Sequence, residues 1–198
     1  MKTALRIRML IGIALLTAIV VVLQYFSGYI KFGPFSITLA LIPIAIGAVL
    51  YGPFAGMWLG MVLGSVVLLT GGGEPFLSFK PAITIILCLA KTGIAGFVSG
   101  LIYKAFKNKH PKIGIIVSSL VVPIINTGIF LSIALTVFKN MVASWAPEGQ
   151  NVYVYAITGL VGLNFVVEFF VCILLSSSIV YIVHVIRYVQ HDKKALDE

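Results

Sequence analysis

The sequence predicts an all-α integral membrane protein of six transmembrane helices with both termini cytoplasmic, a single six-helix transmembrane domain over residues 1–198. Three observations carry this. First, 60% of the residues are apolar and only 10% are charged, against about half and a quarter in a soluble domain. Second, the apolar residues fall into six runs separated by short loops, and about 20 such residues cross a bilayer core. Third, the basic residues gather at the ends of those runs. A chain this apolar is neither disordered nor a water-soluble enzyme, because its side chains must be buried in something.

The first run covers Met9 to Phe26 and is followed by Gly28. A basic start before an apolar run also describes a signal peptide. Gln24-Tyr25-Phe26-Ser27 is no small-x-small cleavage site, so the segment is read as a span. The second run, Ser36 to Leu50, is short and carries Pro43, which predicts a kink. Tyr51-Gly52-Pro53 is a turn, and the third run goes from Phe54 to Thr70. Gly71-Gly72-Gly73-Glu74-Pro75 opens a loop that ends near Pro81. The fourth run is Ala82 to Tyr103 and leads into the basic loop Lys104 to Lys112. The fifth, Ile113 to Phe138, contains Pro123. After the loop Lys139 to Asn151, the sixth runs from Val152 to Val185, too long for the hydrocarbon core unless it tilts or projects.

The net charge of +8 invites a nucleic-acid reading, but its placement speaks against one. Lys2, Arg6, Arg8, Lys104, Lys107, Lys109, Lys112, Arg187, Lys193 and Lys194 lie at one set of run ends, and only Lys31, Lys80 and Lys139 at the other. The positive-inside rule then puts both termini in the cytoplasm, and the loops 28–35, 71–81 and 139–151 outside.

Ionisable groups inside a span are costly and mark functional sites by default. Lys91 lies about 14 Å from the outer end of its run at 1.5 Å per residue, and Glu168 and Asn126 about 18 Å from theirs. Asn164, four residues before Glu168, shares its helix face. Two readings are open. In one, Lys91 and Glu168 pair and the asparagines tie helices together. In the other, these residues line a polar pocket that opens outward, where Lys91 meets an anion and Asn126, Asn164 and Glu168 orient hydroxyls or amides. The outer loops fit a pocket with a lid. Gly71 to Gly73 give backbone freedom before Glu74 and Phe76, while Trp145, Tyr153 and Tyr155 gather at the outer end of the last hairpin, where an interfacial aromatic belt also accounts for them.

Small residues carry a packing message. Gly52, Gly56, Gly60 and Gly64 recur along one face of the third run, and Gly93, Gly96 and Gly100 along the fourth, the spacing that lets helices approach closely. Ala14 and Ala18 form a similar pair on the first, leaving a smooth groove for another protein's helix. No Walker loop is present, so the chain does not itself hydrolyse ATP. His110, His184 and His191 lack metal-ligand spacing, Cys88 and Cys172 read as core residues, and no nucleophile stands beside a base. No metal, cofactor or catalytic residue is expected.

The stretch 37–56, in which a short Pro43-bearing helix leads into Gly52-Pro53-Phe54-Ala55-Gly56, resembles the second-to-third span region of the substrate-binding S components of energy-coupling factor (ECF) transporters. Ala14-x-x-x-Ala18 is similar to that family's first-helix signature, and Pro123-Ile124-Ile125-Asn126-Thr127-Gly128 also resembles its members. The resemblance implies a subunit of the bacterial cytoplasmic membrane that captures a water-soluble vitamin from outside. It implies as partners a coupling transmembrane subunit, docked on Ala14 and Ala18, and two ATPase subunits. It places the ligand near the outer face, among spans four to six and the outer loops. An intramembrane Lys91 favours a carboxylate-bearing vitamin. Pantothenate fits, with hydroxyls and an amide for the asparagines, and folate, niacin and biotin are also acids. If Glu168 neutralises Lys91, an uncharged ligand fits equally. The alternative to a capture subunit is a stand-alone proton- or sodium-coupled carrier with Glu168 as the proton-carrying group, although no repeat relates the two halves of the chain.

Overall fold

The computed structural model describes residues 2–28, 31–32, 35–36 and 38–196. The first helix, α1, spans Lys2–Ser27. Within the predicted outer loop 28–35, reaching Ser36, the chain forms a small antiparallel ribbon, β1 (Lys31–Phe32) with β2 (Phe35–Ser36), in the register Lys31↔Ser36. The helix α2 begins only at Leu41 and ends at Tyr51. Turn bonds from the amides of Leu41 and Ile42 to the carbonyls of Thr38 and Leu39 wind it up. Pro43 therefore stands in the first turn, where its missing N–H is one of the donors a helix start leaves unpaired anyway. It lies within the opening turn of the helix, and the expected kink at Pro43 is corrected accordingly.

Proline stands at the first helical position itself in α3 (Pro53–Leu69), α5 (Pro81–Phe106) and α6 (Pro111–Thr136). The first follows Gly52, whose φ of +96° demands a glycine between α2 and α3. The basic loop expected at 104–112 shortens to 107–110, because α5 runs on through Phe106 and Pro111 starts α6. The outer loops hold α4 (Glu74–Leu77) and α7 (Lys139–Trp145). The last predicted span is not one helix. It comprises α8 (Val152–Tyr155), a π-helical turn over Ala156–Leu160, and α9 (Gly162–Leu196). The axis bends by 44° at this break. The π turn and the Gly159 and Gly162 pair are the local causes of such a bend.

Among the described residues, three helical stretches are long and apolar enough to cross a bilayer: Arg6–Ser27, Pro81–Phe106 and Pro111–Thr136. The bent pair Val152–Leu160 and Gly162–Ser176 makes a fourth if taken as one span. The helices α2 and α3 are apolar but shorter, at 11 and 17 residues, or about 17 and 25 Å of rise.

The tightest packing joins α3 to α5. A Cβ on Gly56, Gly60 or Gly64 would strike the backbone carbonyls of Gly96, Thr92 and Cys88 respectively. The glycines thus replace side-chain interdigitation by backbone contact, the close approach that lipid-embedded helices exploit. A buried apolar cluster including Val20, Ile44, Leu59, Leu63, Ala95 and Val122 joins α1, α2, α3, α5 and α6. Ser99 adds a cross-helix tie, its hydroxyl donating to the Ser118 carbonyl at 2.9 Å. Large apolar residues such as Leu10, Leu15, Phe54, Leu69 and Leu174 face outward. An apolar exterior of this extent suits a lipid surround.

Candidate substrate-binding cavity

A cavity of about 80 Å³ lies between α1, α5, α6 and α9, closed further by Thr38, by Gly72 and Gly73, and by Phe76 of α4. Lys91, Asn126, Asn164, Glu168 and Phe76 all line it. Four of the five come from three helices whose apolar sequences otherwise face lipid or core. Their polar side chains are tolerated at this depth because they turn toward a shared interior space.

The two charged groups do not meet. Glu168, only 6% exposed, accepts a hydrogen bond at Oε1 from the backbone N–H of Thr38 at 2.9 Å. Lys91 holds its Nζ 5.2 Å from the centre of the Phe130 ring, a cation–π distance. Among the described residues no ion pair within 4.0 Å joins Lys91 to Glu168. Of the two readings left open by the sequence, the direct Lys91–Glu168 pair is thus not the arrangement present.

The amides are under-satisfied. Asn126 and Asn164 are buried, and neither Oδ1 has a hydrogen-bond partner among the described residues. The same holds for Oε1 of Gln24, a cavity residue contributed by α1. A buried carbonyl without a partner costs about 1–3 kcal/mol. Native folds leave few of them and rarely three in one place. A cavity with several such acceptors, a cation and apolar walls has the make-up of a small-molecule site.

Phe76 is the aromatic hub of the outer wall. Its ring meets Phe130, Phe138 and Trp145 edge-on at centroid distances of 5.5, 5.0 and 5.6 Å. Trp145 therefore backs the cavity through Phe76 and is not itself among the lining residues. Tyr155 packs in the same outer cluster, and Glu74 is exposed at the start of α4; neither lines the cavity. Lys80 fastens this region, its Nζ donating to the Val137 carbonyl at 3.4 Å. Ala14 and Ala18 lie elsewhere, exposed on the outer face of α1.

Sequence reasoning missed Gln24, Thr38, Thr84, Thr127, Phe130 and Phe165 as lining residues. Gln24 alone carried a signal, as the one amide in the first apolar run. Thr38 contributes a backbone N–H, which no residue type announces.

The sequence matches the family described as "ECF transporter, substrate-specific component" over residues 8–184. The fold is similar to that of ThiT from Listeria monocytogenes, with a TM-score of 0.65 and 20% identity, covering 87% of this chain and 95% of that one. No curated protein matches the sequence. At that identity the likeness to ThiT speaks for the fold alone, whereas the family match extends over most of the chain. The chain belongs to the ECF transporter substrate-specific components, and is a membrane transport subunit of this vitamin-binding family.

Proposed function

We propose that the protein captures a carboxylate-bearing vitamin from outside the cell, with pantothenate as the best-fitting candidate, and delivers it through a coupling transmembrane subunit powered by two ATPase subunits. The observation that carries this is the state of Lys91. Its ammonium is partly buried, lines the cavity and is not paired with the carboxylate beside it. An ammonium removed from water gains most from an anion, and Glu168 is already engaged by Thr38. Asn126 and Asn164 take the ligand's hydroxyls or amide, and Phe76, backed by Trp145, covers its apolar part.

In this reading all six apolar helices are embedded in the bacterial cytoplasmic membrane as one domain. The short α2 and α3 count as the second and third spans, and the termini are cytoplasmic. Glu74 and Tyr155 belong to the outer rim through which the ligand passes. Ala14 and Ala18, exposed on α1, present the coupling subunit with a shallow groove between large exposed apolar side chains such as Ile11, Val22 and Tyr25.

The test is calorimetric titration of the purified chain in nanodiscs with pantothenate and with its alcohol analogue, in which CH₂OH replaces the carboxylate. Pantothenate is expected to bind at least tenfold more tightly, and Lys91→Met is expected to erase the difference. Equal binding of the two compounds by the wild-type chain would overturn the assignment of Lys91 to a carboxylate.

A further inference from the structure

Gln24 has no role in the reading above, yet it is among the least exposed polar residues of the chain, at 1%. It stands in the last turn of α1, which ends at Ser27, and lines the same cavity as Lys91. Its Oε1, like Oδ1 of Asn126 and of Asn164, is buried with no hydrogen-bond partner among the described residues. Three helices, α1, α6 and α9, therefore each bring to one cavity an amide side chain whose carbonyl is unpaired. All three carbonyls are acceptors, and the backbone N–H of Thr38 is spent on Glu168. The Lys91 ammonium and the Thr127 hydroxyl line the same cavity, but neither donates to any of the three carbonyls, so donors on a bound ligand would satisfy the set.

We infer that Gln24 is a substrate-contacting residue, and that the substrate carries, besides the carboxylate held by Lys91, at least two N–H or O–H donors that the carbonyls of Gln24, Asn126 and Asn164 accept. This rests on the carboxylate reading and narrows it. Hydroxylated, amide-bearing or ureido-bearing carboxylic acids belong to the class. An aromatic acid with no donor once ionised does not, because it leaves the three carbonyls as they are, desolvated and unpaired. Sites built to hydrogen-bond a substrate N–H or O–H reject analogues lacking it far more strongly than apolar pockets reject a missing methylene.

The test uses the full chain in nanodiscs, with pantothenate, biotin and nicotinate as probes for calorimetric titration against the wild type, Gln24→Leu and Lys91→Met. Pantothenate offers two hydroxyls and an amide N–H, biotin offers two ureido N–H groups, and nicotinate offers none; all three are carboxylates. The wild type is expected to bind pantothenate or biotin at least tenfold more tightly than nicotinate. Gln24→Leu is expected to shrink that preference to within about threefold, with any binding of nicotinate unchanged. Nicotinate binding as tightly as the donor-bearing acids, or a preference unchanged in Gln24→Leu, would overturn the inference. Loss of carboxylate binding in Lys91→Met would still uphold the reading beneath it. Binding of none of the three acids overturns both. Should Gln24→Leu fail to fold, the wild-type comparison alone decides.

Discussion

The carboxylate of Glu168 and the backbone N–H of Thr38 lie 2.9 Å apart although 130 residues separate them in sequence. The bond ties the segment that follows α1 and the ribbon to the second turn of α9, and both residues line the cavity. A hydrogen bond to a charged group contributes about 1.5–3 kcal/mol, so this one is strong enough to set how long the segment stays in place. Thr38→Pro removes both the N–H and the side-chain hydroxyl that engage Glu168 while keeping the carbonyl that Leu41 uses; Thr38→Ala, which keeps the N–H, separates the two. Thr38→Pro is expected to raise the ligand dissociation rate about tenfold or more, read by stopped-flow displacement. An unchanged rate would mean that the bond plays no part in retention.

Lys91 and Asn126 are expected to contribute to affinity directly. Lys91→Met and Asn126→Ala should each weaken binding of the cognate vitamin at least tenfold, about 1.4 kcal/mol, in titrations of the purified chain. The two should differ in salt response, because only Lys91 supplies a charge, though one partly shielded by burial. If both bind as the wild type does, the polar set is structural and the ligand sits elsewhere.

The alanine pair on α1 should behave in the opposite way. Ala14→Trp and Ala18→Trp add bulk to an exposed face that shares no residue with the cavity. Ligand affinity is expected to stay within about twofold (roughly 0.4 kcal/mol), while uptake by vesicles reconstituted with the coupling and ATPase subunits is lost. Reduced affinity with intact uptake would reverse the assignment of the two surfaces.

Packing of α3 on α5 provides a stability test. Gly60→Ala puts a Cβ against the Thr92 backbone, which no side-chain rotation relieves. Overpacking of this kind costs about 1–3 kcal/mol. The exposed Gly128 of α6 has nothing within 4 Å of such a Cβ, and alanine there favours the helix by up to about 1 kcal/mol. Thermal unfolding in detergent should therefore show a lower midpoint for Gly60→Ala and an equal or higher one for Gly128→Ala. Equal midpoints for Gly60→Ala and the wild type would show that the interface yields more easily than its geometry implies.

Much of the candidate site was legible because the penalty for a polar group in lipid is steep. Lys91, Asn126, Asn164 and Glu168 stood out against apolar neighbours, and counting rise per residue brought them to similar depths before any packing was known. What that reasoning could not supply was partnership. Depth alone does not say whether Lys91 faces Glu168 or Phe130, and the partner of Glu168 is Thr38, 130 residues away, engaged in part through its backbone N–H. Pro43 was misread because a proline kinks a helix or begins one according to where the first turn falls. That boundary depends on the turn bonds at Thr38 and Leu39. The break near Gly162 was hidden for a related reason: a continuous apolar run reads the same whether its backbone is α-helical throughout or passes through a π turn.

The antiparallel pairing of Gly56 with Gly96, Gly60 with Thr92 and Gly64 with Cys88 also acts as a vernier. Sliding α5 by one residue along α3 would turn the notches away from the carbonyls they admit, so only one alignment closes the gap along its whole length. Lys91 is the immediate neighbour of Thr92 in that alignment. The position of the ammonium relative to α3 is thereby gauged by glycines that do not line the cavity.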